Sequence, residues 1–145
     1  MQFITGGAFN GKSQWVKAYN QLTEENCQWF SAYNQDQIPI ELERMTTNYI
    51  VLEGIEQWVK EWLQGSSGDK VQEKWHDLLR QLENWEGTDG KRSVILIGTD
   101  ITKGIVPLKS EDREWRDVCG RVFQAAASSC ERVDVIWYGL NKQLK

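Results

Sequence analysis

The segment Gly6-Gly7-Ala8-Phe9-Asn10-Gly11-Lys12-Ser13 has the spacing G-x-x-x-x-G-K-S. This spacing suits a loop that wraps phosphate oxygens with successive backbone N–H groups. Gly6 and Gly11 permit the tight backbone path. Lys12 is long enough to reach β- and γ-phosphates, and the Ser13 hydroxyl is a hard oxygen ligand for Mg²⁺. A helix beginning at Lys12 adds the positive end of its dipole to the same anion site. A glycine turn ahead of a helix is the plainer reading. The motif standing between a strand and a helix favours a P-loop, with ATP or GTP and Mg²⁺ as the expected cofactors.

Such a loop needs a carboxylate near the metal. Two residues follow strand-like runs: Glu53 after Tyr-Ile-Val-Leu, and Asp100 just past Val-Ile-Leu-Ile. Ligands of open α/β sheets gather outside the carboxyl ends of strands, so either can hold a metal water or accept a proton. Glu53 is preferred, because it ends its strand directly and precedes a glycine. Ser13 and Glu53 are therefore the expected metal residues. Among the cations, Lys103, Arg113, Arg116 and Arg121 are candidates for charge stabilisation. Arg113 and Arg116 share one side of a helix, where a surface ion network is the other reading.

These residues need a scaffold. Gln2 to Thr5 reads as a short buried strand, and Lys12 to Tyr19 as a helix. Gln21 to Thr47 is polar, contains Pro39, and reads as a partly helical insert. Tyr49 to Leu52 is a second strand. Helices are expected over Ile55 to Leu63 and Val71 to Leu82, with Trp58, Trp62, Trp75 and Leu79 in their apolar stripes. Ser93 to Ile97 reads as a strand buried on both faces of a parallel sheet. Ser110 is the expected N-cap of a long last helix, and Val133 to Trp137 the last strand. Strands separated by helices imply a three-layer α/β sandwich of the P-loop nucleoside-triphosphate hydrolase type, with a mainly parallel central sheet.

Composition narrows the functions. The 145 residues fit a single domain, 1–145. A net charge of −4 gives no footprint for nonspecific nucleic-acid binding. No apolar run approaches the roughly 20 residues needed to cross a bilayer. Cys27, Cys119 and Cys130 are widely spaced and suggest a reduced, cytoplasmic chain. The single histidine, His76, excludes any site that needs two imidazoles. Eight tryptophans are unusual at this length. Core or subunit packing explains most of them, and Trp15 has the alternative of stacking on a base.

Together, Gly6 to Ser13, Leu52-Glu53, Gly104-Ile105-Val106-Pro107 and Arg116-Asp117-x-x-Gly120-Arg121 resemble the adenosylcobinamide kinase/adenosylcobinamide-phosphate guanylyltransferase family. The tail from Ala125 to Lys145 is also similar. The resemblance covers about the first 20 residues and then Thr47 onward. It implies phosphorylation of the aminopropanol hydroxyl of adenosylcobinamide by ATP or GTP, followed by GMP transfer through a guanylylated histidine. It also implies a corrinoid partner and a homo-oligomer. Gly6, Lys12 and Ser13 would hold phosphates and Mg²⁺. Glu53 would be the strand-end carboxylate, Asp100 would fall near an acidic position, and Arg116 would belong to the R-D-x-x-G segment.

The departure lies between the P-loop helix and Glu53, where the family carries its transfer histidine. This chain has none there, and His76 reads as a solvent-facing helix residue. The expected function is thus the kinase half alone, with Lys12, Glu53, Asp100 and Arg116 as its catalytic candidates. The competing readings are a non-catalytic nucleotide-binding or regulatory protein, and a nucleotide-gated assembly subunit.

Overall fold

The computed structural model describes residues 1–145. The strands are β1 (Gln2–Thr5), β2 (Cys27–Ser31), β3 (Tyr49–Glu53), β4 (Ser93–Ile97), β5 (Arg132–Trp137) and β6 (Leu140–Gln143). The helices are α1 (Lys12–Tyr19), α2 (Ile55–Leu63), α3 (Gly68–Gly87) and α4 (Ser110–Ser129). One six-stranded sheet runs in the order β2-β3-β4-β1-β5-β6. All neighbours are parallel except β5 and β6, which form an antiparallel hairpin.

The apolar runs of the central strands are divided between two cores by the period-2 alternation of side chains. Ile4, Val51, Ile95 and Ile97 meet Val16 of α1 on one face. Phe3, Leu52, Val94 and Leu96 meet α2, α3 and α4 on the other. This is the expected three-layer α/β sandwich, and it explains why Val94 to Ile97 contains no polar residue.

Three local expectations are revised. In place of the partly helical insert expected over 21–47, the main element is the edge strand β2, which pairs with β3 over its full length. Only two short 3-10 turns, Ala32–Asn34 and Leu42–Arg44, are helical. The polar Gln28 between partly exposed Cys27 and Trp29 suits an edge position, where one flank and both faces stay partly wet. Ser110 is the first residue of α4, not its cap. Lys109 holds the cap position and makes no capping side-chain bond. The third helix extends well beyond Val71 to Leu82, starting behind Ser67, whose hydroxyl accepts from Lys70 N–H at 3.5 Å. No helix is long and apolar enough to cross a membrane.

The carboxyl ends of β1, β3 and β4 lie level. Glu53 pairs with Ile97, and Ile4 pairs with Ile97 from the other side. The connections leaving these strands are stitched together: Gly54 N–H donates to Ile97 O at 2.9 Å, Gly98 N–H to Ile4 O at 3.0 Å, and Asp100 N–H to Gly6 O at 3.0 Å. The glycine loop, Glu53 and the segment after β4 thereby share one end of the sheet.

Candidate functional site

The loop from Gly6 to Gly11 is fixed by close backbone approach. Gly6 has φ +143°, and a Cβ there would stand 2.2 Å from Ile136 O. Gly11, at φ +86°, turns the chain into α1. At the loop tip, Phe9 also has positive φ and is fully exposed. The β5–β6 hairpin holds the loop from outside: Gly139 N–H donates to Asn10 O at 2.9 Å, and Tyr138 N–H to Asn10 Oδ1 at 3.3 Å. The hairpin is braced in turn by buried Asp134, which accepts from Arg132 Nε at 2.6 Å and from Asn141 Nδ2 at 2.9 Å.

Lys12 is buried, and its ammonium lies inside the curve of the loop. Nζ donates to Gly7 O at 2.8 Å and Gly6 O at 3.3 Å. Burial lowers its pKa below the ordinary value, while Glu56 and Glu53 pull it back up. Ser13, in the first turn of α1, donates its hydroxyl to Glu53 Oε1. Trp29 Nε1 of β2 donates to the other oxygen, Glu53 Oε2, at 2.9 Å. Lys12, Ser13 and Glu53 line one cavity of about 700 Å³, within the size range of small-molecule sites.

A second carboxylate faces that cavity. Glu56, in the first turn of α2, is 1% exposed. It accepts from the Tyr33 hydroxyl and from Thr99 N–H at 2.9 Å. Its backbone oxygen accepts from Trp115 Nε1 at 2.7 Å, which ties α4 to the site. Burial and the Glu56 hydrogen bond together push the Tyr33 phenol well above its usual range. Sequence reading passed over Glu56, Tyr33 and Trp29. The available signal for Glu56 was an acid three residues after Glu53, inside the apolar stripe of Ile55, Trp58 and Val59.

Asp100 and Arg116 stand elsewhere. Both line a neighbouring cavity of about 630 Å³ between α4 and the sheet. The Asp100 carboxylate is engaged by Thr102, through N–H at 2.9 Å and the hydroxyl at 2.6 Å, and pairs with exposed Lys103 at 3.6 Å. Residues after β4 alternate between the two cavities: Thr99 and Ile101 face one, Asp100 and Thr102 the other. Arg113 is spent on the loop before its helix, donating to Pro107 O and Leu108 O. Trp15 stacks on Tyr19 at 4.7 Å and does not line the Lys12 cavity.

The donor set suits Mg²⁺. A hydroxyl and a carboxylate side by side, Ser13 and Glu53, are hard oxygen ligands. Mg²⁺ is ordinarily held by one or two protein oxygens together with phosphates and water. No group of three or more His, Cys, Asp or Glu residues is clustered as an all-protein metal cage.

A model of the cobinamide kinase/cobinamide phosphate guanyltransferase family matches residues 24–144. The chain belongs to this family. The matched span begins after the glycine loop and includes most of the 21–47 segment, β2 among it. No curated protein matches the chain. Against the family's two-step chemistry, His76 is exposed on α3 and is not among the residues lining the Lys12 cavity. The three cysteines are also absent from that lining, and burial raises each of their thiol pKa values.

Proposed function

We propose that the chain is a nucleoside-triphosphate-dependent kinase acting on the aminopropanol hydroxyl of adenosylcobinamide, without the guanylyltransferase half. Family membership supports the substrate class. The observation that carries the reaction is the convergence of Lys12, Ser13 and Glu53 on one cavity beneath the glycine loop. Phosphoryl transfer asks the protein mainly for positioning and charge stabilisation. Gly6 to Gly11 would cradle the phosphates, and Lys12 would hold the β- and γ-phosphoryl oxygens. Ser13 and Glu53 would hold Mg²⁺, which neutralises phosphate charge when bound with the nucleotide. Glu53 is also the preferred group to orient the acceptor hydroxyl and take its proton, since it lines the Lys12 cavity and Asp100 lines the neighbouring one. Arg116 lines the neighbouring cavity and not the Lys12 cavity.

The absence of a histidine before Glu53 supports loss of GMP transfer. Incubation of purified protein with Mg²⁺, ATP or GTP, and adenosylcobinamide tests both halves by mass spectrometry. The expected product gains one phosphate, and the protein gains no mass of GMP. Unchanged adenosylcobinamide in the presence of bound nucleotide would replace the kinase by the non-catalytic reading. A GMP adduct on the protein would restore the transferase half.

A further inference from the structure

Phe9 stands where the fold has no use for it. Its side chain is fully exposed and belongs to neither hydrophobic core. Its backbone has φ +58°, in the left-handed region that suits glycine and strains a bulky residue. The loop is already rich in glycine, and a glycine here would follow the same path without strain. The strained path is enforced by the next residue. Asn10 is clasped by Gly139 N–H at its carbonyl and by Tyr138 N–H at its Oδ1. Its Nδ2 stands 2.6 Å from where a Cβ on Gly7 would lie. Strain held in place by its surroundings collects at ligand sites, and the folded core gains nothing from this ring.

Phe9 also lines the Lys12 cavity, sharing that lining with one other aromatic ring, Tyr33. Tyr33 is committed to the protein. Its hydroxyl bonds Glu56 and meets Thr99 Oγ1 at 3.0 Å, and its ring lies against Gly54. Phe9 enters no ring pair and no cation–π contact. It is therefore the free aromatic surface on the solvent side of the cavity. A nucleotide held by its phosphates in this loop carries one large flat surface of its own, the base. An unpartnered ring on the phosphate-binding loop is the complement of that surface.

On the reading of the loop as a nucleotide site, we infer that the Phe9 ring stacks on the purine base of the bound nucleoside triphosphate. Stacking uses the π-face that every base has, so the contact accepts adenine and guanine alike. The backbone strain at residue 9 is retained for ligand binding and not for folding.

Calorimetric titration with Mg²⁺ and, in turn, ATP, GTP and inorganic tripolyphosphate tests the stacking. Tripolyphosphate has the phosphates and lacks the base. Phe9→Gly should weaken ATP and GTP by about tenfold each and leave tripolyphosphate within about twofold of wild type. Its Tm should be no lower than that of wild type, because glycine relieves the positive φ. Phe9→Leu keeps apolar bulk without a flat face and should lose the same affinity, whereas Phe9→Trp should keep it. Wild-type affinity for ATP and GTP in Phe9→Gly would overturn the proposal. Equal weakening of tripolyphosphate, or full nucleotide affinity in Phe9→Leu, would also overturn it. The phosphate loop is scored separately, by tripolyphosphate binding to the unsubstituted chain, and the kinase reading by product mass. A wild-type chain that binds none of the three ligands would remove the loop reading and the stacking together.

Discussion

The Ser13 hydroxyl donates a hydrogen bond to the Glu53 carboxylate across 40 positions of sequence, joining the first turn of α1 to the end of β3. Removing either side should act on catalysis more than on folding, because both groups are only partly buried. Glu53→Gln is expected to lower phosphoryl transfer by about 100-fold or more, with Mg²⁺-dependent nucleotide affinity reduced as well. Ser13→Ala should reduce the Mg²⁺ dependence in the same direction. Nucleotide titration with and without Mg²⁺, beside single-turnover rates, checks both. Wild-type rates in Glu53→Gln would remove Glu53 from the mechanism.

Trp29 holds the other Glu53 oxygen at 2.9 Å. It fixes the carboxylate without lining the Lys12 cavity itself. Trp29→Phe keeps a ring on β2 and deletes the donor, so turnover should fall by about tenfold. A wild-type thermal midpoint beside that fall would separate positioning from damage to the fold. A Tm loss with unaltered turnover per folded molecule would assign Trp29 to packing instead.

Lys12 carries a stability cost that comes from its burial. Burial lowers its pKa below 10.5, with Glu56 and Glu53 opposing. Between the lowered folded value and 10.5, the unfolded chain binds more protons than the native one. Wild-type stability should therefore rise with pH through that window, and the cost should be fully present below it. Lys12→Met should raise Tm at pH 7 by removing the buried charge while abolishing nucleotide affinity. Its advantage should shrink as pH climbs toward 10.5. Parallel Tm-versus-pH curves for the two proteins would contradict this assignment.

Gly6 offers the sharpest steric test. A methyl group at this position meets Ile136 O at 2.2 Å, on backbone with φ +143°. Neither the strand nor the loop can retreat without breaking the hairpin contact to Asn10. Gly6→Ala should cost about 3 kcal/mol in urea denaturation. Gly90→Ala, where a Cβ meets nothing within 4 Å, is the control and should change stability little.

Much of this architecture was readable along the chain. The glycine loop, its helix, and the three central strands are local signals: motif spacing, an unbroken apolar run, and helical periodicity. Edge strand β2 was not readable, because Cys-Gln-Trp-Phe-Ser is short and half-buried, and its strand form depends on pairing with β3. With β2 missed, Trp29 and Tyr33 could not be assigned to the site. Glu56 was hidden for another reason. A carboxylate in an apolar stripe reads as a helix-start acid until Tyr33 and Thr99 are seen to satisfy it.

The sequence by itself determined the chemical inventory: one G-x-x-x-x-G-K-S motif, two acids at or just past strand ends, and a single histidine, His76, well beyond Glu53. These are facts of residue type and order, and no folding alters them. Tertiary structure decided which acids share a cavity with Lys12. Glu53 and Asp100 follow strands that lie side by side, so position along the chain gave each the same claim. In the segment after β4, Thr99 and Ile101 line the Lys12 cavity, and Asp100 and Thr102 line the cavity beside α4. A displacement of one residue reverses the face a side chain meets. That alternation, invisible to motif spacing, turns Asp100 away from the Lys12 cavity, which Glu53 lines from the end of β3.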